Sequence, residues 1–241
     1  TFYDRHGTLI VGEKGCSPIL ILGFVETTAP GTIRKALADL HAEVAADAYL
    51  RDIPSMHKTN VAFHAKDDMP EVRQTVFKRI RTLDFRAQFV VARKIERVFR
   101  STFHGDEDVF YDRLVSQLFE SAVHRHARNR ILFAKRGSRS RQAPLASAIR
   151  DGIARFREEY RIETDTEFSV SAQTPVGEPC LQVVDYMNWA VYRAYTKREM
   201  RFYRFVEDKV NLLVDLYDSA NFPRNRYGSN NPFDINKTSP L

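Results

Sequence analysis

Two spacings of apolar residues alternate along the chain, one suited to strands and one to helices. Ile19 to Val25 is a continuous apolar run, the pattern of a strand covered on both faces. Pro30 then opens a helical stripe of Ile33, Leu37, Leu40 and Val44, proline being well tolerated in a first turn. A second stripe begins near Pro70, with Val72, Val76, Ile80 and Leu83 at matching spacing. Phe85, Ala87, Phe89 and Val91 alternate with Arg86, Gln88 and Val90, which predicts a half-buried strand. A third helical face, Phe110, Leu114, Leu118 and Phe119, follows the acidic triplet Asp106, Glu107 and Asp108, which suits the positive end of a helix dipole. Asn129 to Ala134 predicts a strand, Pro144 to Tyr160 a helix, and Glu167 to Ser171 a strand. Pro179 begins a helix through Gln182, Asp185, Trp189 and Tyr192, and a last helix is expected from about Glu199 to Tyr217.

Strands alternating with helices, with no linker between them, predict a single α/β domain over residues 1–220. From Asn221 the sequence is Asn- and Pro-rich with few apolar residues, so 221–241 is expected to be a polar C-terminal tail. A chain of 241 residues can bury a full core, and 43 % hydrophobic with 28 % charged residues excludes global disorder. The longest apolar run, Pro18 to Val25, is far too short to span a bilayer. The first ten residues carry Asp4, Arg5 and His6 and lack a signal peptide's apolar stretch. Cys16 and Cys180 are far apart and form no CxxC, against a disulfide framework or zinc ribbon. A cytoplasmic protein is the expectation.

Charge sharpens this picture. The net charge is +6, but the first 120 residues are balanced and the surplus lies in the second half. Between 121 and 150 there are Arg125, Arg128, Arg130, Lys135, Arg136, Arg139, Arg141 and Arg150, and no Asp or Glu. Such a window suits a polyanion, because each neutralised phosphate releases counterions. A solvated helix-and-loop surface is the plainer reading.

Several residues are candidates for chemistry. Asp4, in the segment Phe2-Tyr3-Asp4-Arg5-His6-Gly7, ends a short apolar start before a Gly turn; it is placed either to hold a metal or to initiate the turn. Gln182 and Asp185 are three apart on a helix and so share a face. A carboxylate in so apolar a helix costs free energy unless it is paired, hydrogen-bonded or metal-bound. Phe63-His64-Ala65-Lys66-Asp67-Asp68 places a histidine and two acids before the second helix, where both acids would serve as helix caps. His124 and His126 diverge on a helix and belong with the basic surface, and Lys94 either snorkels from a strand end or meets a phosphate. There is no P-loop, GxGxxG, HExxH or GxSxG pattern, so nucleotide-binding and acyl-transfer classes have no local support.

The order of YDRHG (3–7), ILILGFVE (19–26), FHAKDD (63–68), FVVARK (89–94), AKRGSR (134–139) and LQVVDYMNWAVYR (181–193) resembles a large prokaryotic family of unknown function, the one numbered 3800. The likeness runs from residue 2 to about 218 and implies a ribonuclease H-like fold, a mixed central sheet flanked by helices. It further implies a metal-dependent nuclease of a prokaryotic defence or mobile-element system, in which Asp4 and Asp185 hold Mg²⁺ or Mn²⁺ and Gln182 orients Asp185 or a water. Lys94, Arg136 and Arg139 would contact the phosphates of RNA or DNA. One departure matters: the family has Asp-Glu-Ser-Gly where this chain has Asp4-Arg5-His6-Gly7. A two-metal site takes three or more carboxylates; Glu13, Asp67 or Glu178 would have to supply the third, with His6 as ligand or base. If Arg5 takes the cation position instead, the chain is a nucleic-acid-binding or scaffolding subunit of a larger complex without hydrolytic activity.

Overall fold

A computed structural model describes residues 2–3, 8–11, 16–135, 141–162 and 165–241. The run at Ile19 forms strand β1 (Ile19–Glu26), and Pro30 starts helix α1 (Pro30–Ala46), whose Ile33, Leu37, Leu40 and Val44 are all buried. A one-turn helix, α2 (Met56–Thr59), precedes α3 (Pro70–Thr82), which buries Val72, Val76, Phe77 and Ile80. Strand β2 (Arg86–Arg93) follows, then α4 (Glu96–Phe103) and α5 (Glu107–Phe119). The Asp106 carboxylate caps α5 by accepting from the N–H groups of Asp108 and Val109, as the acidic triplet leads one to expect. Strand β3 (Arg128–Ala134), α6 (Gln142–Tyr160), β4 (Glu167–Gln173) and α7 (Cys180–Lys197) complete the elements that the apolar spacing predicts.

Beyond α7 the chain differs from expectation. In place of one helix from Glu199 to Tyr217 there is a short α8 (Arg201–Val206) and then strand β5 (Val210–Leu216). Nor does the polar segment from Asn221 hang free. It forms β6 (Arg226–Tyr227) and buries Tyr227, Phe233 and Ile235 against Tyr195 and Tyr203.

The main sheet has the order β1-β2-β5-β6, with β2 antiparallel to β1 and parallel to β5, and β6 antiparallel to β5. A second, two-stranded sheet pairs β3 with β4 in parallel. Side chains alternate across the main sheet. Ala87, Phe89, Val91 and Leu213 join the core under α1, α3, α7 and α8, whereas Val90, Ala92 and Val214 join the one under α4 and α5. β2 is therefore buried on both faces, not half-buried; its polar Gln88 is accommodated because its amide donates to the Leu118 carbonyl and accepts from Arg125. β1 is the reverse case. It stands at the sheet edge and is only half-buried along Leu20–Glu26, although its sequence reads as doubly covered.

α5 and α6 pack closely because Gly152 leaves room for the Ser116 carbonyl, 2.4 Å from where a Cβ would sit. Together with β3 and β4 they enclose a third apolar cluster around Val115, Leu145, Ile149 and Val170. The architecture is mixed α/β, a mixed sheet flanked by helices. Among the described residues no helix is long and apolar enough to cross a membrane.

Candidate functional site

Between the outer edge of β1 and the outer edge of β3 runs a cleft of about 1020 Å³, closed along one side by the first half of α7. α7 lies close over β1 because position 23 is glycine: a Cβ there would sit 2.5 Å from Asn188 Oδ1 and from Phe89. This approach brings Gln182 and Asp185, one turn before Asn188, to the cleft wall. The segment Phe63–Asp68 docks on the same helix face.

The contacts there are specific. The Gln182 side chain accepts from the Phe63 N–H (3.1 Å) and donates to the Pro175 carbonyl (2.8 Å), so it clamps two loops onto α7. Asp185 Oδ2 accepts from the Ala65 N–H at 2.8 Å, and Oδ1 lies 3.5 Å from His64 Nε2. His64 Nδ1 faces Asp67 at 3.7 Å, so the imidazole stands between two carboxylates, half exposed. Burial pushes the Asp185 carboxyl above the usual carboxylate range, against the opposing pull of the Ala65 N–H and of His64.

Asp68 does not cap α3, whose N-cap residue is Met69 and has no side-chain cap. Its buried carboxylate accepts from Thr59 Oγ1 (2.6 Å), Tyr186 OH (2.5 Å) and the His64 N–H (2.8 Å), while Arg73 donates to the backbone carbonyls of Ala65 and Asp68. Asp68 fixes the loop that carries His64. Glu178 is likewise engaged, in a bidentate pair with Arg34. Burial opposes its ionisation, but hydrogen bonds from Arg34 and Cys180 outweigh this and hold the carboxyl below the usual range. Burial beside Glu178 pushes the Cys180 thiol up to about 12, too high for a thiolate nucleophile at neutral pH.

Two of the residues singled out from the sequence, Gln182 and Asp185, thus meet a third segment, His64–Asp68. Lys94 is elsewhere. Its backbone N–H donates to the Pro18 carbonyl and its ammonium lies over the Phe2 ring. Pro18 is five residues along the chain from Gly23, about 17 Å away at strand rise, so Lys94 does not join Asp185. Asp4, Arg5, His6, Glu13, Arg136 and Arg139 lie outside the described residues. The neighbours of Asp4 pack on the sheet face opposite α7: Phe2 stacks on Phe99 at 3.9 Å, and the Tyr3 hydroxyl donates to the Gly105 carbonyl.

Nor is the basic window the free patch that its composition suggests. Arg125 and His126 both bond to Glu26, Arg128 faces Glu167, and Arg141 pairs with Asp108 and Asp112. His124 is no part of that surface: it stacks on Phe156 at 4.1 Å, and burial lowers its pKa. Arg128 and Arg130 nevertheless line the cleft, across from Asp185.

Sequence reasoning missed His41, which stacks on Phe63 at 3.8 Å with Nε2 3.3 Å from Gln182 Oε1, and whose pKa burial lowers. It also missed Arg34, Thr59 and Tyr186. Their partners are remote in sequence, 141 residues for His41 and Gln182, so no local spacing signals them. No family model, curated protein or solved structure matches this chain.

Proposed function

We propose that this protein is a ribonuclease H-like phosphodiesterase acting on nucleic acid at the Asp185–His64 end of the cleft. One observation carries the reading. Of the buried or half-buried carboxylates around α7, Asp68 and Glu178 are fully engaged by protein donors, whereas Asp185 accepts one backbone hydrogen bond and turns its other oxygen toward His64 at the cleft wall. A carboxylate kept desolvated and under-paired in a cleft is expensive, and such groups cluster at functional sites.

Asp185 would be the described donor to Mg²⁺ or Mn²⁺; the family resemblance would add Asp4, whose chain neighbours Phe2 and Tyr3 pack on the other face of the sheet. A bound cation of this kind activates water and stabilises a leaving oxygen. Among the described residues no three His, Cys, Asp or Glu side chains are placed to hold one metal ion, so the described donors fit a cation only in part. His64, oriented by Asp67 and Asp185, is placed to take a proton from a water in the cleft. Gln182 acts as a positioning residue, holding the loop that presents Ala65 and His64.

The test is cleavage of end-labelled RNA and DNA in Mn²⁺ by the parent, Asp185→Asn and His64→Ala. Each variant is expected to lose about 100-fold or more. Equal cleavage in all three would overturn the proposal. A second reading, a catalytically degenerate nucleic-acid-binding or scaffolding subunit, is favoured by the partial donor set. It predicts salt-sensitive binding without any cleavage, unchanged in Asp185→Asn.

A further inference from the structure

We propose that the trough between β1 and β3 is a receptor for one extended segment of a partner polypeptide, which on binding joins the two sheets into one. Every residue from Leu20 to Glu26 lines the cleft on one side, and every residue from Arg128 to Ala134 on the other. In a strand only alternate side chains share a face, so an unbroken lining means that the backbone edge itself is presented. Among the described residues β1 pairs only with β2 and β3 only with β4, leaving both edges with unpaired amides and carbonyls.

The relative direction of the two edges follows from their ends. Glu26, at the end of β1, is bonded to Arg125 and His126, just before β3 begins, so the two edges run antiparallel. A guest antiparallel to β1 is then parallel to β3. Seven residues of strand span about 23 Å. Next to the trough, Asn188 Oδ1, packed over the Gly23 face of β1, is a buried acceptor with no hydrogen-bond partner among the described residues. A buried acceptor without a donor is costly, and an amide N–H is what it lacks.

Peptide chemistry fits the trough and a nucleic-acid strand does not. Half of each edge is carbonyl oxygen, which repels phosphate, while alternating N–H and C=O groups complement another backbone. Leu22 and Ile131 provide an apolar wall, and Arg130, exposed and in no ion pair with a described residue, favours a guest with a carboxylate at the facing position. The guest is therefore an extended segment of another protein, apolar at alternate positions and acidic beside Arg130. This inference does not depend on the nuclease reading, because the trough and the Asp185–His64 pair are different parts of the cleft.

The experiment uses the full chain and a fluorescein-labelled peptide of about ten residues, alternating Val and Thr with one Asp, long enough to fill the trough. The control is the same peptide with two residues replaced by proline. Fluorescence anisotropy reads binding, and amide hydrogen exchange reads residues 20–26 and 129–134. The alternating peptide is expected to bind and to slow exchange in both segments by about tenfold or more, while the proline control does neither. Arg130→Glu, an exposed change whose folding is checked by its urea midpoint, is expected to weaken binding about fivefold. No binding, or binding without protection of both segments, overturns the proposal. So does protection already present without peptide: if it is independent of protein concentration the chain fills its own trough, and if it rises with concentration a second copy does.

Discussion

Asp185 and Glu178 lie on the same side of the cleft, and their environments push them in opposite directions. Burial raises the Asp185 carboxyl, so the native protein holds that proton more tightly than the unfolded chain does. The group therefore subtracts stability as pH rises through the carboxylate range. Asp185→Asn retains an oxygen for the Ala65 N–H and removes the buried charge. Its urea midpoint at pH 7 is expected to equal or exceed the parent's; a clear loss of stability would contradict this account. Glu178 carries the opposite sign. Its lowered pKa contributes stability that is present above the ordinary carboxylate range and lost as pH falls through its own. Arg34→Met removes the partner of that carboxylate and, because Arg34 is itself partly exposed and screened by solvent, is expected to cost only about 1 kcal/mol at pH 7, a deficit that shrinks in acid urea titrations. The spacing of Gln182 and Asp185 was readable from the chain because both lie on one helix. The role of Asp68 was not, since its donors Thr59 and Tyr186 are 9 and 118 residues away and nothing local separates a cap from a buried triple acceptor.

At the scale of elements, the helices and strands up to α7 follow from apolar spacing, because each has one face against a core and shows the matching period. β5 escapes that logic. The stretch Phe202 to Leu216 places Phe202, Phe205, Val206, Leu212 and Leu213 at spacings that a helix also satisfies, and the break at Glu207–Lys209 has no proline or glycine to mark it. The two readings are separated by Asp215. It is fully buried and bonded by Arg93 of the neighbouring strand at 2.9 and 3.1 Å, a partner that exists only if β5 lies beside β2. Asp215→Ala leaves Arg93 with Asp218 and the Ser239 and Pro240 carbonyls as its remaining partners and is expected to cost about 2–3 kcal/mol, measured by urea unfolding. The polar tail was misread for a related reason. Its three core residues, Tyr227, Phe233 and Ile235, are too few to create a period, yet the Ser239 and Pro240 carbonyls also accept from Arg93.

For the molecule as a whole, two sheets that share helices are also tied through Glu26 of β1, which receives Arg125 and His126 from the approach to β3. Glu26→Gln weakens the tie and is expected to raise amide exchange in Arg128–Ala134 while leaving β2 protected. Uniform change across both sheets would mean that the tie is not at Glu26. The same pairing explains why the acid-free window overstates the charge presented to a polyanion. Acids remote in sequence, Glu26, Asp108, Asp112 and Glu167, fold back onto it, and a count along the chain has no means of seeing them.

The parallel pairing of β2 with β5 has a kinetic consequence. Arg93 and Asp215, the buried pair at the C-terminal end of these two strands, are 122 residues apart in sequence, so the middle of the main sheet closes only after a very long loop has been gathered. Folding should be slow compared with helical proteins of similar stability. Until β5 arrives, β2 carries its apolar faces and one bare edge into solution, a species prone to stick to its own kind.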